Sequence, residues 1–365
     1  MIARFLIVSI HVKYALTLLV LFTSLNLSGQ NKADRYLKAY QQYLDASCPI
    51  KESGIKHFVF FARNREKIID HPFLEIPRFK GAQVMYAWQQ LEPAPGQYDF
   101  SLIQEDYDYL AAKGKKLFIQ LQDATFSTAY KGVPNYLLTK EYAGGAVPQR
   151  SDAGKQEGWV AKRWHPKVQA RFALLLEALG KAFDGKIEGI NLQETAISVS
   201  KKDDPSFSEV LYVEAIKRNM NALKKAFRRS TTLQYANFIP GEWLPYNDKG
   251  YLKAVYAYGQ EIGVGLGGPD LMVRRKGQLN HLIALMHEGE FTVPLAIAIQ
   301  DGNYIGQTGA DDDYDESKDE GRAGRTNLVP LLHAFAKDFL NVNYMFWSNQ
   351  KPYFSEDVIP CFSSD

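Results

Sequence analysis

Lys186-Ile187-Glu188-Gly189-Ile190-Asn191-Leu192-Gln193-Glu194-Thr195 reads as a short buried strand that ends in a carboxylate. Gly189, Ile190 and Leu192 suit a packed barrel wall. Gln193 and Glu194 fall where the strand runs out into a loop. In a (β/α)8 barrel the active site is built at the C-terminal ends of the strands, so a polar pair at this point marks chemistry. A single Glu there also reads as a solvated loop acid, and the rest of the chain decides between the two.

Working outward, the same rhythm recurs on both sides. Strands are expected at 56–61, 81–86 and 116–121 before this one, and at 232–238, 263–267, 292–299 and 342–346 after it. Helices are expected between them, over 101–113, 166–183, 208–227, 250–260, 278–288 and 327–339. The stretch from Pro134 to Pro148 reads as a long polar loop. Short apolar runs alternating with helices mean parallel βαβ units. Eight strands buried on both sides close into a single α/β domain, a (β/α)8 TIM barrel, spanning 30–365. A doubly wound open sheet would place a glycine fingerprint after its first strand, and Arg63-Asn64-Arg65-Glu66 is not one.

Residues 1–29 stand apart. Arg4, His11 and Lys13 precede an apolar run from Tyr14 to Leu27, and Ser28-Gly29 follow. That is the layout of a secretory signal peptide, with no membrane span expected after cleavage. The expected location is periplasmic or extracellular. Cys48 and Cys361 flank the first and last strands. In an exported chain they are candidates for one disulfide, and two buried thiols fit the sequence equally. A net charge of +2 gives no reason to expect nucleic acid as a partner. Two cysteines and seven scattered histidines make no zinc pattern, so no metal or other cofactor is expected.

Trp88-Gln89-Gln90-Leu91-Glu92-Pro93, then Gly96-Gln97-Tyr98-Asp99-Phe100, then Lys113-Gly114-Lys115 before a strand resembles the second βα unit of the large retaining clan of (β/α)8 glycoside hydrolases, with its cellulase-like and β-galactosidase-like families. The resemblance implies a general acid/base at the end of strand four, where Gln193-Glu194 stands for the clan's Asn-Glu. It implies that Gln193 bonds a sugar hydroxyl. It implies a second carboxylate at the end of strand seven, where the clan has Glu and this chain has Gln300-Asp301. Asp301 as nucleophile needs a carboxyl separation of roughly 5 Å, and a wider gap of roughly 6.5–9.5 Å makes it a base on water instead. Asp-Gly-Asn is also ordinary turn chemistry. Glu242 and Asp270, at the ends of strands five and six, are the reserves. Trp347 is the expected floor under the cleaved sugar. Trp88, Gln122, Asp123, Asn237, Trp243 and Gln300 are the other candidate substrate contacts, and Arg63 is a candidate for the clan's missing strand-two arginine.

Asp311, Asp313 and Asp315 have the first EF-hand spacings, but Glu316 and Arg322 break the turn and the bidentate ligand. A solvated acidic loop is expected. The expected function is an exported glycoside hydrolase cleaving an oligo- or polysaccharide by two carboxylates. The alternative is a barrel that has lost its nucleophile and binds glycans or a protein.

Overall fold

The structure is a computed structural model that describes residues 33–151, 153–300, 303–304 and 327–363. The signal segment 1–29, Asp301 and the acidic loop lie outside the described residues.

Eight parallel strands close into a barrel in sequence order. They are β1 (Lys56–Phe60), β2 (Phe79–Ala87), β3 (Lys116–Gln122), β4 (Gly189–Leu192), β5 (Thr231–Tyr235), β6 (Gly265–Gly268), β7 (Leu295–Ile299) and β8 (Tyr344–Ser348). The helices outside are α1 (Ser101–Ala112), α2 (Pro166–Phe183), α3 (Glu209–Ala226), α4 (Tyr251–Ile262), α5 (Leu282–Glu288) and α6 (Leu328–Ala334). The helix expected over 278–288 is broken: a short turn, Lys276–Asn280, precedes α5, with His281 between them at φ −101° and ψ −106°. The long loop after β3 is not structureless. Ala124–Thr125, Ala146–Arg150 and Gln156–Ala161 form a three-stranded antiparallel sheet beside the barrel mouth.

Two layers hold the barrel. The period-two alternation of each strand sends one set of side chains inward and the other under the helices. Phe58, Phe60, Phe118, Tyr344 and Phe346 fill the interior as one aromatic plug. Above it, Gln83 Nε2 donates to Asn191 Oδ1 at 2.8 Å and to Tyr235 Oη at 3.2 Å. Outside, Ile119, Ile190 and Leu192 pack beneath Phe172, Leu175, Leu176 and Leu179 of α2. Fully burying each such side chain stabilises the fold by about 1.5–3 kcal/mol. Glycine is required where neighbouring backbone crowds a strand: a Cβ on Gly267 would sit 1.8 Å from the Ala296 carbonyl oxygen, and one on Gly81 1.8 Å from that of Lys116.

Cys48 and Cys361 are joined as a disulfide with Cα atoms 4.8 Å apart, within the range such a bond spans. It clips the segment before β1 to the last helical turn, Ile359–Ser363. Among the described residues no helix is long and apolar enough to cross a membrane.

Candidate active site

Glu194 follows β4 at the C-terminal mouth and is half-buried. Its backbone is pinned. Arg163 Nη1 donates to the Glu194 carbonyl at 3.0 Å, Thr195 N–H donates to Tyr235 O at 3.1 Å, and Tyr212 Oη–H donates to Thr195 O at 2.9 Å. Asn237, two residues past β5, gives its side-chain Nδ2 to Glu194 Oε2 at 2.7 Å. The Asn237 Oδ1 accepts from Ala196 N and Phe238 N at 3.2 and 3.0 Å, which fixes which end of the amide faces the acid.

Asp270, two residues past β6 and also half-buried, forms the second half. Asn303, in the turn after β7, donates Nδ2 to Asp270 Oδ1 at 3.4 Å while its Oδ1 accepts from Gln300 N at 3.0 Å. Each carboxyl is therefore held by an asparagine from the next strand's end.

The two carboxyls differ electrostatically. Burial, then the negative charge of Asp270, pushes Glu194 up to about 7, against the opposing pull of the Asn237 hydrogen bond and Arg163. Burial pushes Asp270 up to about 6, against the Asn303 hydrogen bond and Arg275. Such a pair titrates as a unit. Near pH 6.5 the two carboxyls together hold about one proton. A protonated acid beside an ionised carboxylate is the arrangement that two-carboxylate cleavage of a glycosidic acetal uses.

Several expected sugar contacts serve the scaffold instead, and those expectations are corrected. Trp347 is fully buried. Strand β8 runs to Ser348, past the expected end at 346, so Tyr344, Phe346 and Ser348 face inward and Trp347 faces out, paired in register with Val59. Its Nε1 donates to His57 Nδ1 at 3.2 Å, and its ring packs on Phe362. Trp88 is also fully buried, its Nε1 donating to Glu92 Oε2 at 2.8 Å. Glu92 further accepts from Gly96 N at 2.9 Å and pairs with Arg171, so the Trp-x-x-Leu-Glu-Pro…Gly string builds the β2–α1 turn. Asp123 is bound by Arg163 through both oxygens, at 2.6 and 2.7 Å. Gln193 Oε1 accepts from Asp123 N and Ala124 N at 3.1 and 2.9 Å, so the amide oxygen ties β4's end to the end of β3. Glu242 accepts from the backbone N–H groups of Lys249, Tyr251 and Leu252 and caps α4, which removes it as a reserve acid. Arg63 lies over the Tyr130 ring at 4.1 Å.

Gln122 is buried and accepts a long hydrogen bond, 3.4 Å, from Tyr130 Oη. Gln300 follows directly on β7, half-buried, and its Nε2 has no partner among the described residues. Trp243 stands 52% exposed on the loop after β5. The structure thus gathers Glu194, Asn237, Asp270, Asn303 and Gln300 around the mouth between β4 and β7. Arg163 and Asn303 were not singled out from sequence. Asp270 satisfies the same strand-end criterion as Glu194, whereas nothing in the run Lys162-Arg163-Trp164-His165 marks Arg163.

A closed parallel barrel with carboxyls at its C-terminal strand ends has the fold of the (β/α)8 glycoside hydrolases. No protein-family model matches the chain, and no curated protein does. Among solved structures, endo-glycoceramidase II from Rhodococcus sp., captured as a lactosyl-enzyme intermediate, is similar over 83% of this chain and 76% of that one, with a TM-score of 0.50 and 12% identity. The catalytic domain of β-amylase from Paenibacillus polymyxa is similar over 83% of this chain and 93% of that one, with a TM-score of 0.51 and 9% identity.

Proposed function

We propose that this chain is an exported glycoside hydrolase that cleaves a glycosidic bond in an oligo- or polysaccharide. The observation that carries the reading is the pair Glu194 and Asp270, each held by an asparagine and each raised by burial above the ordinary carboxylate range. Glu194, with the higher pKa, donates its proton to the departing glycosidic oxygen. Asp270, ionised at the same pH, supplies the second carboxylate that the reaction needs, on the sugar carbon or on water. Asn237 and Asn303 are positioning residues. Gln300, whose amide donor has no partner among the described residues, is a substrate contact.

Asp270 replaces the sequence-based expectation of Asp301 as the first choice for this role. Asp301 follows directly on Gln300 and is the competing assignment. The barrel fold shared with endo-glycoceramidase II and β-amylase supports the substrate class. Export is supported by the leader-like composition of 1–29 and by the Cys48–Cys361 disulfide, a bond that persists in oxidising compartments.

The test is hydrolysis of a panel of plant and algal glycans by the wild type, Glu194→Gln and Asp270→Asn. The reading predicts that the wild type releases reducing sugar and that both variants lose about a thousandfold or more. A wild type inert on every glycan would refute it.

A further inference from the structure

Glu194 stands two residues beyond Leu192, the last residue that β4 pairs with its neighbours. Three successive carbonyls there are each held by a side chain from a different part of the fold. Gln234 Nε2, from β5, donates to Gln193 O at 2.9 Å. Arg163 Nη1 donates to Glu194 O at 3.0 Å, and Tyr212 Oη, from α3, donates to Thr195 O at 2.9 Å. Of these donors only Arg163 carries a charge. It also donates to Tyr212 Oη at 2.8 Å, so it governs two of the three contacts.

Arg163 reaches this place from the sheet inserted after β3. The strand Gln156–Ala161 delivers it, and the chain is tied just before it: Ala161 N donates to Asp123 O and Lys162 N to Gly145 O, both at 2.9 Å. The guanidinium is buried, an unfavourable place for a cation. Burial opposes its charge, and the Asp123 carboxylate, bound through both oxygens, outweighs burial and keeps its pKa above the usual value. A neutral amide suffices to hold a carbonyl, as Gln234 does at Gln193. The cation adds what an amide lacks. Burial and the charge of Asp270 raise Glu194, and the Arg163 charge acts with the Asn237 hydrogen bond to lower it.

We infer that Arg163, clamped by Asp123, is a positioning residue for Glu194: it fixes the acid's backbone at the mouth and places a fixed cation on the acid's own carbonyl. The inserted sheet is the part of the fold that supplies it. This inference rests on the proposed hydrolase reading. Among the described residues, the charged groups acting on the Glu194 carboxyl are Asp270 and Arg163, and Asp123 stands behind Arg163. Tyr212 faces it from α3, and burial pushes that hydroxyl up to about 12, so it stays neutral.

The experiment measures kcat and KM against pH for wild type, Arg163→Gln, Arg163→Lys and Asp123→Asn on the glycan that the wild type cleaves best. Arg163→Gln removes the cation and keeps a donor. Its kcat should fall about tenfold or more, and its alkaline limb should move up by about half a pH unit or more. Asp123→Asn leaves the cation without its counter-charge, so the limb should move down by a similar amount. Arg163→Lys keeps the charge without the fork and should hold the limb near the wild type's. A clamp that serves only the fold would lower Tm in these variants and leave the limb in place. An unmoved limb, or one that moves the same way in Arg163→Gln and Asp123→Asn, would overturn the inference. If Arg163→Gln does not fold, the limbs of Asp123→Asn and Arg163→Lys decide it. If the wild type hydrolyses nothing, the parent reading fails, and NMR of carboxyl-labelled glutamate, with Glu194→Gln to assign the signal, decides the positioning alone. Opposite displacements of the Glu194 titration in Arg163→Gln and Asp123→Asn uphold it, and coincident titrations overturn it.

Discussion

Asn237 Nδ2 donates to Glu194 Oε2 at 2.7 Å, and this bond favours the ionised acid against the burial and the Asp270 charge that disfavour it. Removing it in Asn237→Ala leaves only the raising influences and Arg163, so the acid's pKa climbs above its present value of about 7. Activity on any cleaved glycan should follow a bell. The acid limb lies near 6, where Asp270 must lose its proton, and the alkaline limb near 7, where Glu194 must keep its own. In Asn237→Ala the alkaline limb should move up by about one pH unit, with kcat reduced. An unmoved limb would mean that Glu194 is not the group titrating there.

Glu194 should also cost the fold stability when ionised. Its folded pKa of about 7 lies above the ordinary carboxylate value, so the folded state resists ionisation and loses stability as pH rises from about 4.5 to 7. Glu194→Gln removes that cost. Its Tm should exceed the wild type's by a few degrees at pH 8 and by much less at pH 5. A gain independent of pH would show that burial of the charge is not the cause.

Trp347 and Trp88 test the reassignment of two aromatics from the cleft to the scaffold. Trp347→Phe loses the bond to His57 and part of a fully buried ring, so it should lower Tm measurably while leaving KM within about twofold. Trp88→Phe strands a buried Glu92 oxygen and should act likewise. A KM raised severalfold at unchanged stability would return either residue to the substrate.

The strand count, order and most helix bounds were legible because strands buried on both faces leave uninterrupted apolar runs. Glu194 was legible as a candidate because it stands just past such a run. Trp347 was misplaced by two residues of strand length: β8 continues to Ser348, and along a strand each residue reverses the face. Asp123 was misread because a strand-end polar group can bond its neighbours as readily as a sugar, and only the fold brings Arg163, 40 positions away in the chain, against Asp123. Distance in sequence also hid Asn303, whose partner Asp270 lies 33 positions earlier. The antiparallel sheet after β3 was not legible because Gly144, Gly145 and Pro148 read as loop punctuation, whereas the two glycines lead into the strand Ala146–Arg150 and Pro148 lies within it, opposite Trp159.

The Cys48–Cys361 bond closes nearly the whole barrel into one covalent loop. Reduction, or Cys361→Ser, frees the ends of the unfolded chain and should cost about 2–4 kcal/mol of stability. Thermal unfolding with and without reductant measures it, and identical Tm values would show that the bond is not formed in the isolated protein.

The central claim is that Asp270 is the second carboxylate. The most direct measurement is kcat/KM of Asp270→Asn beside Asp301→Asn on the glycan that the wild type cleaves best. The account predicts that Asp270→Asn falls by about a thousandfold or more while Asp301→Asn stays within about tenfold. The reverse order would contradict it and hand the role to Asp301.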